Sequence, residues 1–293
     1  MKYRIVHKTE YSSIDPVSVG YNEAWLRPRE TLVQHCVAHR LQIEPEPSIL
    51  VERIDYFQNT VSQFAFNQGY ETLTVTAIDE IQIQPPAPRA DSGPAWEEVV
   101  KTVSRPQTEA DLQAYEFTFD SPRCRQSSEF AGYTQTTFLA GRPIVDCLAD
   151  LMQKIHAEFR FDATATTVST PVEQVFRQKR GVCQDYAHLF ISILRSLHLP
   201  ARYVSGYLRT IPPLGKPRLV GADASHAWIS VYCGPLGWID IDPTNNQFPA
   251  TDHITIAWGR DYSDIAPLKG VYIGGSSPHL EVSVDVVNLD ELS

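Results

Sequence analysis

The 293-residue sequence has no apolar run of the ~18 residues that a membrane-spanning helix needs. Its start, MKYRIVHKTEYSS, alternates instead of forming an apolar block, so it is not expected to be a secretory signal. It has no C-x-x-C pair. The five cysteines, Cys36, Cys124, Cys147, Cys183 and Cys233, are odd in number and far apart, against a disulfide framework or a structural zinc site. Positive charge is scarce: 25 Lys and Arg stand against 35 Asp and Glu, giving a net charge of −10. That disfavours nucleic acid and anionic membrane as partners, because both need a basic face. No internal repeat or low-complexity segment is present. What remains is a chain of ordinary globular composition, 43% apolar and 20% charged, long enough for one large domain or two modest ones, with the cytoplasm as the expected compartment.

The first third reads as strands. YRIVHKTEY and VAHRLQIEP alternate apolar and polar residues, the latter placing Val37, His39, Leu41 and Ile43 on one side. FNQGYETLTVTAIDEIQI sets Gly69 in a turn between two strand-like runs. Short strands at this spacing predict a β-sandwich over residues 1–92, with no catalytic constellation in it. QPPAPRADSGPAW carries four prolines and reads as a linker. Helical periods follow over residues 93–293. Trp96, Val99, Val100 and Val103 mark a short helix, and Ile144, Cys147, Leu148, Leu151, Met152 and Ile155 keep one apolar stripe. STPVEQVFRQ predicts a capping box with Thr170 as cap, Pro171 at the first helical position and Glu173 three residues in. The tail, residues 251–293, returns to strands and turns.

One stretch, RGVCQDYAHLFISILRSLHLP, opens with a glycine and a thiol and runs into apolar residues around most of a helix. Gln184, His188, Ser192 and Arg195 form one narrow polar stripe along it, so the helix belongs in the centre of a domain. Gly181 permits the turn leading in, and Pro200 ends the helix. Cys183 thus occupies the first turn, where free N–H groups and the helix dipole favour a thiolate, the nucleophilic form. A small buried residue is the other reading of this cysteine, and a nearby base decides between them.

Downstream, SHAWISVYCGPLGWIDIDPTNN reads as a hairpin around CGPLG. His226, Trp228, Ser230 and Tyr232 share one face of the first strand, and Trp238, Asp240 and Asp242 one face of the second. Pairing Tyr232 with Leu236 sets Ser230 against Trp238, Trp228 against Asp240 and His226 against Asp242. Opposed side chains have Cβ atoms ~5 Å apart, so this register joins an imidazole to a carboxylate. His226 could equally be an ordinary strand histidine, and Asp242 before Pro243 a turn residue. Together with Cys183 they supply the parts of a thiol–imidazole–carboxylate site.

The segments RGVCQDYAHLF, ADASHAWISVY and GWIDIDPTNN resemble, in order, the three motifs of the transglutaminase-like superfamily in its bacterial branch, over roughly residues 140–250. YRIVHKTEYSS with YNEAWLRPR resembles that family's N-terminal domain, and GRDYSDIAPLKGVYIGG its tail. The resemblance implies an α+β chain: an N-terminal β-sandwich followed by a papain-like, transglutaminase-core domain. It implies Cys183 as nucleophile, His226 as base and Asp242 as its orienter, acting on carboxamide bonds of a peptide or protein with no cofactor. No D-x-D-x-D-G loop is present, so calcium is not expected.

Asp185 fits the family pattern and could cap first-turn N–H groups or bond to a neighbouring loop. Asp240 is the rival orienter; Trp228 and Trp238 are candidates for cleft walls or core. Arg260, Asp261 and Tyr262 are candidates to border the site, a structural ion pair being the alternative. The other eight histidines, His253 among them, show no ligand spacing and are expected to be structural or superficial. Hydrolysis by a cysteine amidase or peptidase is the favoured activity; glutamine–amine cross-linking and a non-catalytic binding protein on the same fold are the alternatives.

Overall fold

Alternation at the N-terminus produces the strand that organises the first third. β1 (Lys2–Ala24) buries Tyr3, Ile5, His7 and Thr9 and exposes Arg4 and Lys8. The computed structural model describes residues 1–88, 91–210, 224–276 and 279–291. β2 (Gln34–Glu44), β3 (Ile49–Ile54), β4 (Thr60–Phe66) and β5 (Tyr70–Ile83) complete an antiparallel path in the order β2-β5-β1-β4-β3. The register of β1 breaks between Ser12 and Val17, around Pro16, which lacks an N–H for the ladder. Before the break β1 runs beside β5, and after it beside β4. β4 and β5 face each other through Phe64, Phe66, Leu73, Val75 and Ala77. The expected sandwich is therefore one hydrogen-bonded sheet folded over on itself. Gly69 lies in the β4–β5 turn as expected. Val37 does not share the face of His39, Leu41 and Ile43: a bulge between Cys36 and Ala38 leaves it 57% exposed.

Of the expected linker, residues 89 and 90 lie outside the described residues. α1 (Trp96–Ser104), α2 (Glu109–Tyr115), α3 (Ser128–Tyr133) and α4 (Ile144–Glu158) follow. The stripe of α4, Cys147 included, is buried as its period requires. β6 (Arg160–Phe161), α5 (Val172–Gln178) and β7 (Arg180–Gly181) lead to the central helix α6 (Cys183–Ser196). The capping box expected for α5 does not form. Pro171 is itself the N-cap, and the Thr170 hydroxyl accepts the Thr167 N–H at 2.9 Å instead.

α6 is buried from Asp185 to Arg195, including His188, Ser192 and Arg195 of its polar stripe, while Gln184 is half-buried. Burying an arginine is tolerable only when its donors are met. The Arg195 guanidinium donates to the Phe117, Ala201 and Arg260 carbonyls and the Ser121 hydroxyl, at 2.8–3.0 Å. Against α6 stands a four-stranded antiparallel sheet of β8 (Ala201–Leu208), β9 (Ala224–Tyr232), β10 (Trp238–Ile241) and β11 (His253–Gly259), in the order β10-β9-β8-β11.

The tail divides between the two sheets. β11 belongs to the sheet beside α6, whereas β12 (Leu268–Gly274) and β13 (His279–Asn288) return to pair with the two halves of β1, making the first sheet seven-stranded. One apolar cluster runs through both regions, taking Tyr3, Ile5, Ile81, Ile83, Val284 and Val286 into contact with the residues of α4, α6 and β8.

The outer edge of β11 is closed by two side-chain amides from the first region. Gln34 donates to the Thr255 carbonyl (2.7 Å) and accepts from its N–H (2.8 Å). Asn59 does the same for Trp258 at 2.9 and 3.0 Å. Edge-strand backbone that would otherwise lack partners is thereby satisfied.

Candidate active site

Cys183 is the first residue of α6 and is half-buried. Its turn is built by Asp185, whose carboxylate accepts the Val182 N–H at 2.8 Å and the Thr166 hydroxyl at 2.6 Å. Asp185 is therefore both cap and loop tie. Gly181 is needed for room: a Cβ there would lie 2.5 Å from the Asp185 carboxylate. Tyr203, on β8 beneath the helix, is close enough for the Cys183 charge to help burial in holding its hydroxyl protonated.

β9 carries His226 to this thiol. The hairpin register differs by two residues from the one expected: Trp238 pairs with Tyr232 and Asp240 with Ser230. The cause is a wider loop, closed where the Cys233 N–H donates to the Gly237 carbonyl at 2.8 Å. An even shift preserves the faces. The Trp228 indole still reaches Asp240 (3.2 Å), and His226 Nε2 reaches Asp242 Oδ2 (2.8 Å), both diagonally across the strands. Asp242 itself lies just past β10, bridged to Gln247 in a turn. It acts there as a turn residue too, its Oδ1 accepting the Thr244 and Asn245 N–H groups at 3.1 and 3.2 Å.

The Cys183 side chain is the second group acting on this imidazole. Burial alone would lower the imidazole's pKa; hydrogen bonds to Asp242 and Cys183, and their charges, outweigh it and raise the value to about 9. His226 is therefore cationic at neutral pH and forms an ion pair with Asp242. Burial likewise works against the Asp242 charge. Hydrogen bonds from His226, His253 and Asn245, with the His226 charge, hold it below the usual carboxylate range.

His253 and Asn245 are the residues that sequence reasoning missed. His253 Nε2 lies 3.0 Å from Asp242 Oδ2, and Asn245 Nδ2 lies 2.7 Å from the same oxygen. Neither has a spacing signal, because both depend on pairings formed only in three dimensions. Gly206 of β8 stands opposite His226, and a Cβ there would meet the Trp228 ring at 2.5 Å.

Trp228 is fully buried, a floor under the imidazole (ring centroids 6.0 Å apart) and no wall of an open cleft. Asp240 holds its indole. Trp238 stacks on the Arg202 guanidinium. Arg260 is tied to its own turn by Asp264, at 2.8 and 2.9 Å, which is the structural ion pair. Asp261 is fully buried and accepts the Arg123 and Ser263 N–H groups, so the expectation that it borders the cleft gives way to a role in fixing a loop. His188 accepts the Tyr262 N–H at 3.2 Å.

His226, Asp242 and His253 each offer one ligand atom, all within 4.8 Å of one another. A metal there would have to replace the protons of both Asp242 contacts and detach His226 from its carboxylate. Two imidazoles hydrogen-bonded to one carboxylate is the arrangement these distances fit.

Residues 132–243 match the Transglutaminase-like superfamily, and residues 3–82 match the Bacterial transglutaminase-like N-terminal region. The chain belongs to the transglutaminase-like superfamily. An uncharacterized protein of Mycobacterium tuberculosis is 40% identical over 295 residues, spanning 98% of this chain and 92% of its own. A protein-glutamine gamma-glutamyltransferase of Pseudomonas aeruginosa is 29% identical over 128 residues, which cover 37% of this chain and 19% of that one. Among solved structures, a Cytophaga hutchinsonii protein provisionally assigned as a cysteine protease shares the fold, with a TM-score of 0.76 at 21% identity over 99% of this chain and 92% of that one. Among the described residues of this superfamily member, no helix is long and apolar enough to cross a membrane.

Proposed function

We propose that this superfamily member is a thiol acyl-transfer enzyme, an amidase or peptidase acting on carboxamide bonds of a peptide or protein. The observation that carries this reading is His226, whose Nε2 lies 2.8 Å from Asp242 Oδ2 while the thiol at the head of α6 also acts on its imidazole. In the reaction the Cys183 thiolate attacks the carboxamide carbon, and the C–O π pair moves to oxygen. The Cys183 backbone N–H, at the open end of α6, faces that developing charge. The His226 imidazolium gives its proton to the leaving nitrogen as the C–N bond breaks. Water then attacks the thioester, losing its proton to His226, and sulfur leaves as thiolate.

Cross-linking of glutamine to an amine is the second reading, favoured by the 29% identity to a protein-glutamine gamma-glutamyltransferase. An amine would then replace water in the last step. Incubation with a glutamine-containing peptide and a labelled amine, resolved by mass, separates the two: acid product supports hydrolysis, and amine adduct supports transfer. Neither product, with Cys183 intact, would overturn both. A reducing, cytoplasmic setting is part of the same proposal, because the five cysteines are odd in number and far apart in the sequence.

A further inference from the structure

His253 is buried on β11, two strands away from β9, yet its Nε2 converges on the carboxylate oxygen that His226 uses. A buried histidine needing only a partner could take any carbonyl nearby. This one takes Asp242 Oδ2, and because a carboxylate only accepts, both imidazoles present N–H to it. The geometry leaves little freedom. Trp228 packs its edge against His253 at 5.2 Å and lies under His226 at 6.0 Å, so one indole holds both rings. β11 is in turn fixed on its outer edge by Gln34 and Asn59.

Resting on the thiol reading above, we propose that His253 is a positioning residue: its Nε2–H, donated to Asp242 Oδ2, aims the carboxylate at His226 and so keeps the imidazole aligned with the Cys183 thiol. The turn N–H groups hold only Oδ1. On Oδ2 the contacts other than His226 are Asn245, whose amide also lies 3.4 Å from His226 Nε2, and His253. With the His226 Nε2 proton given to Asp242, the Asn245 amide donates to Oδ2 alone, from the same turn, whereas His253 donates to it from β11. Loss of the His253 bond lets Oδ2 turn toward Asn245 and loosens the imidazole.

The test reads thiol reactivity and needs no substrate. Cys183 carbamidomethylation by iodoacetamide at neutral pH is followed by peptide mass in wild type, His253→Gln, His253→Phe, His253→Asn and His226→Ala, with thermal melts for each. Glutamine places an amide N–H near the imidazole Nε2, phenylalanine keeps the ring without the donor, and asparagine is too short to reach. We expect the Phe and Asn variants to label about tenfold more slowly than wild type, as loss of an outer supporting contact does elsewhere, and the Gln variant within about threefold. Should the Phe variant fail to fold, the Gln and Asn pair carries the same contrast. Equal rates for wild type and Asn, or Gln as slow as Asn, would overturn the proposal while leaving the thiol reading intact. Wild-type labelling no faster than His226→Ala would overturn both.

Discussion

Among the described residues two buried aspartates, Asp79 and Asp242, each meet a histidine, and they behave in opposite ways. His39 and Asp79, on neighbouring strands β2 and β5, approach to 2.6 Å, with side chains 5% and 0% exposed. His226 and Asp242 approach to 2.8 Å, at 9% and 0%. By residue type, distance and burial the two are near twins. Yet burial raises the Asp79 pKa in spite of its histidine, whereas Asp242 is held low. The difference lies in the surroundings. Asp79 Oδ2 and His39 Nε2 have no hydrogen-bond partner among the described residues, while Asp242 has donors on both oxygens from two histidines, an asparagine amide and two turn N–H groups. A thiol at a helix N-terminus faces only the second pair. A histidine–aspartate contact is thus no site in itself; the donors behind the acid and the nucleophile before the base make it one.

The comparison breaks most sharply at the thiol. Cys183→Ala should abolish turnover of any carboxamide substrate, and His226→Ala should lower it by about a thousandfold or more. The double variant should be no worse than the worse single, because parts of one unit are not additive. His39→Ala should leave the rate within about threefold, since Cys36, the thiol near that pair, is pushed up to about 11 by burial and the Asp79 charge and stays protonated. A large rate loss from His39→Ala in folded protein would show that the first sheet takes part in the chemistry.

The acids should separate next. Asp242→Asn should reduce turnover by about a hundredfold or more, because the amide favours the wrong imidazole tautomer. Asp79→Asn should leave it unchanged and act on stability instead. A carboxyl whose folded pKa is raised weakens the fold above its usual range and stops doing so as it protonates. Asp79→Asn should therefore melt at or above the wild-type temperature at pH 7, and the difference should shrink as the pH falls toward about 4. A variant that melts well below wild type at neutral pH would mean that the Asp79 charge is a net support.

The His226–Asp242 pair has the reverse dependence. The His226 pKa is raised to about 9, so its stabilising share is complete below about 6.5 and is lost as the pH climbs through 9. The Asp242 pKa is depressed, so its share is present above about 4 and is lost as the pH falls below that. Melts of wild type and His226→Ala across pH should differ most between about 4 and 6.5, converging toward pH 9. A gap that widens toward pH 9 would contradict the ion pair.

The parts of this site that the sequence made legible are those set by local period. Cys183 at the head of an apolar helix and the common face of His226 and Asp242 follow from periods of 3.6 and two. The register did not, because CGPLG closes through a Cys233–Gly237 bond that a simple turn count omits. The two-residue error was harmless only because strand faces repeat every two residues. His253 was illegible for a different reason: its contact needs β11 to pair with β8, a long-range choice that no spacing records. The same blindness hid β12 and β13, whose alternation shows strands but does not say that they pair with β1. Arg260 and Asp261 looked functional because charge in a glycine-flanked turn has two uses, and only the position of Asp264 and of the Arg123 N–H decides between them.

The smallest expected effect concerns Asp240, the acid that the sequence offers as rival to Asp242. Both face the same side of the sheet, and a register two residues away from the expected one brings Asp240 level with Ser230. Asp240 nevertheless meets the Trp228 indole and leaves His226 to its neighbour. Asp240→Ala removes one hydrogen bond to a buried N–H, which costs about 1–3 kcal/mol because the indole donor then lacks a partner. Trp228 remains packed between His226 and His253, so the imidazole should shift little and turnover should fall less than about tenfold. Asp240→Asn, which keeps an acceptor for the indole, should recover most of the stability and all of the rate. Thermal melts and turnover of the two variants beside Asp242→Asn check this. A rate loss at Asp240 equal to that at Asp242, in protein that melts normally, would make Asp240 the acid that orients the base.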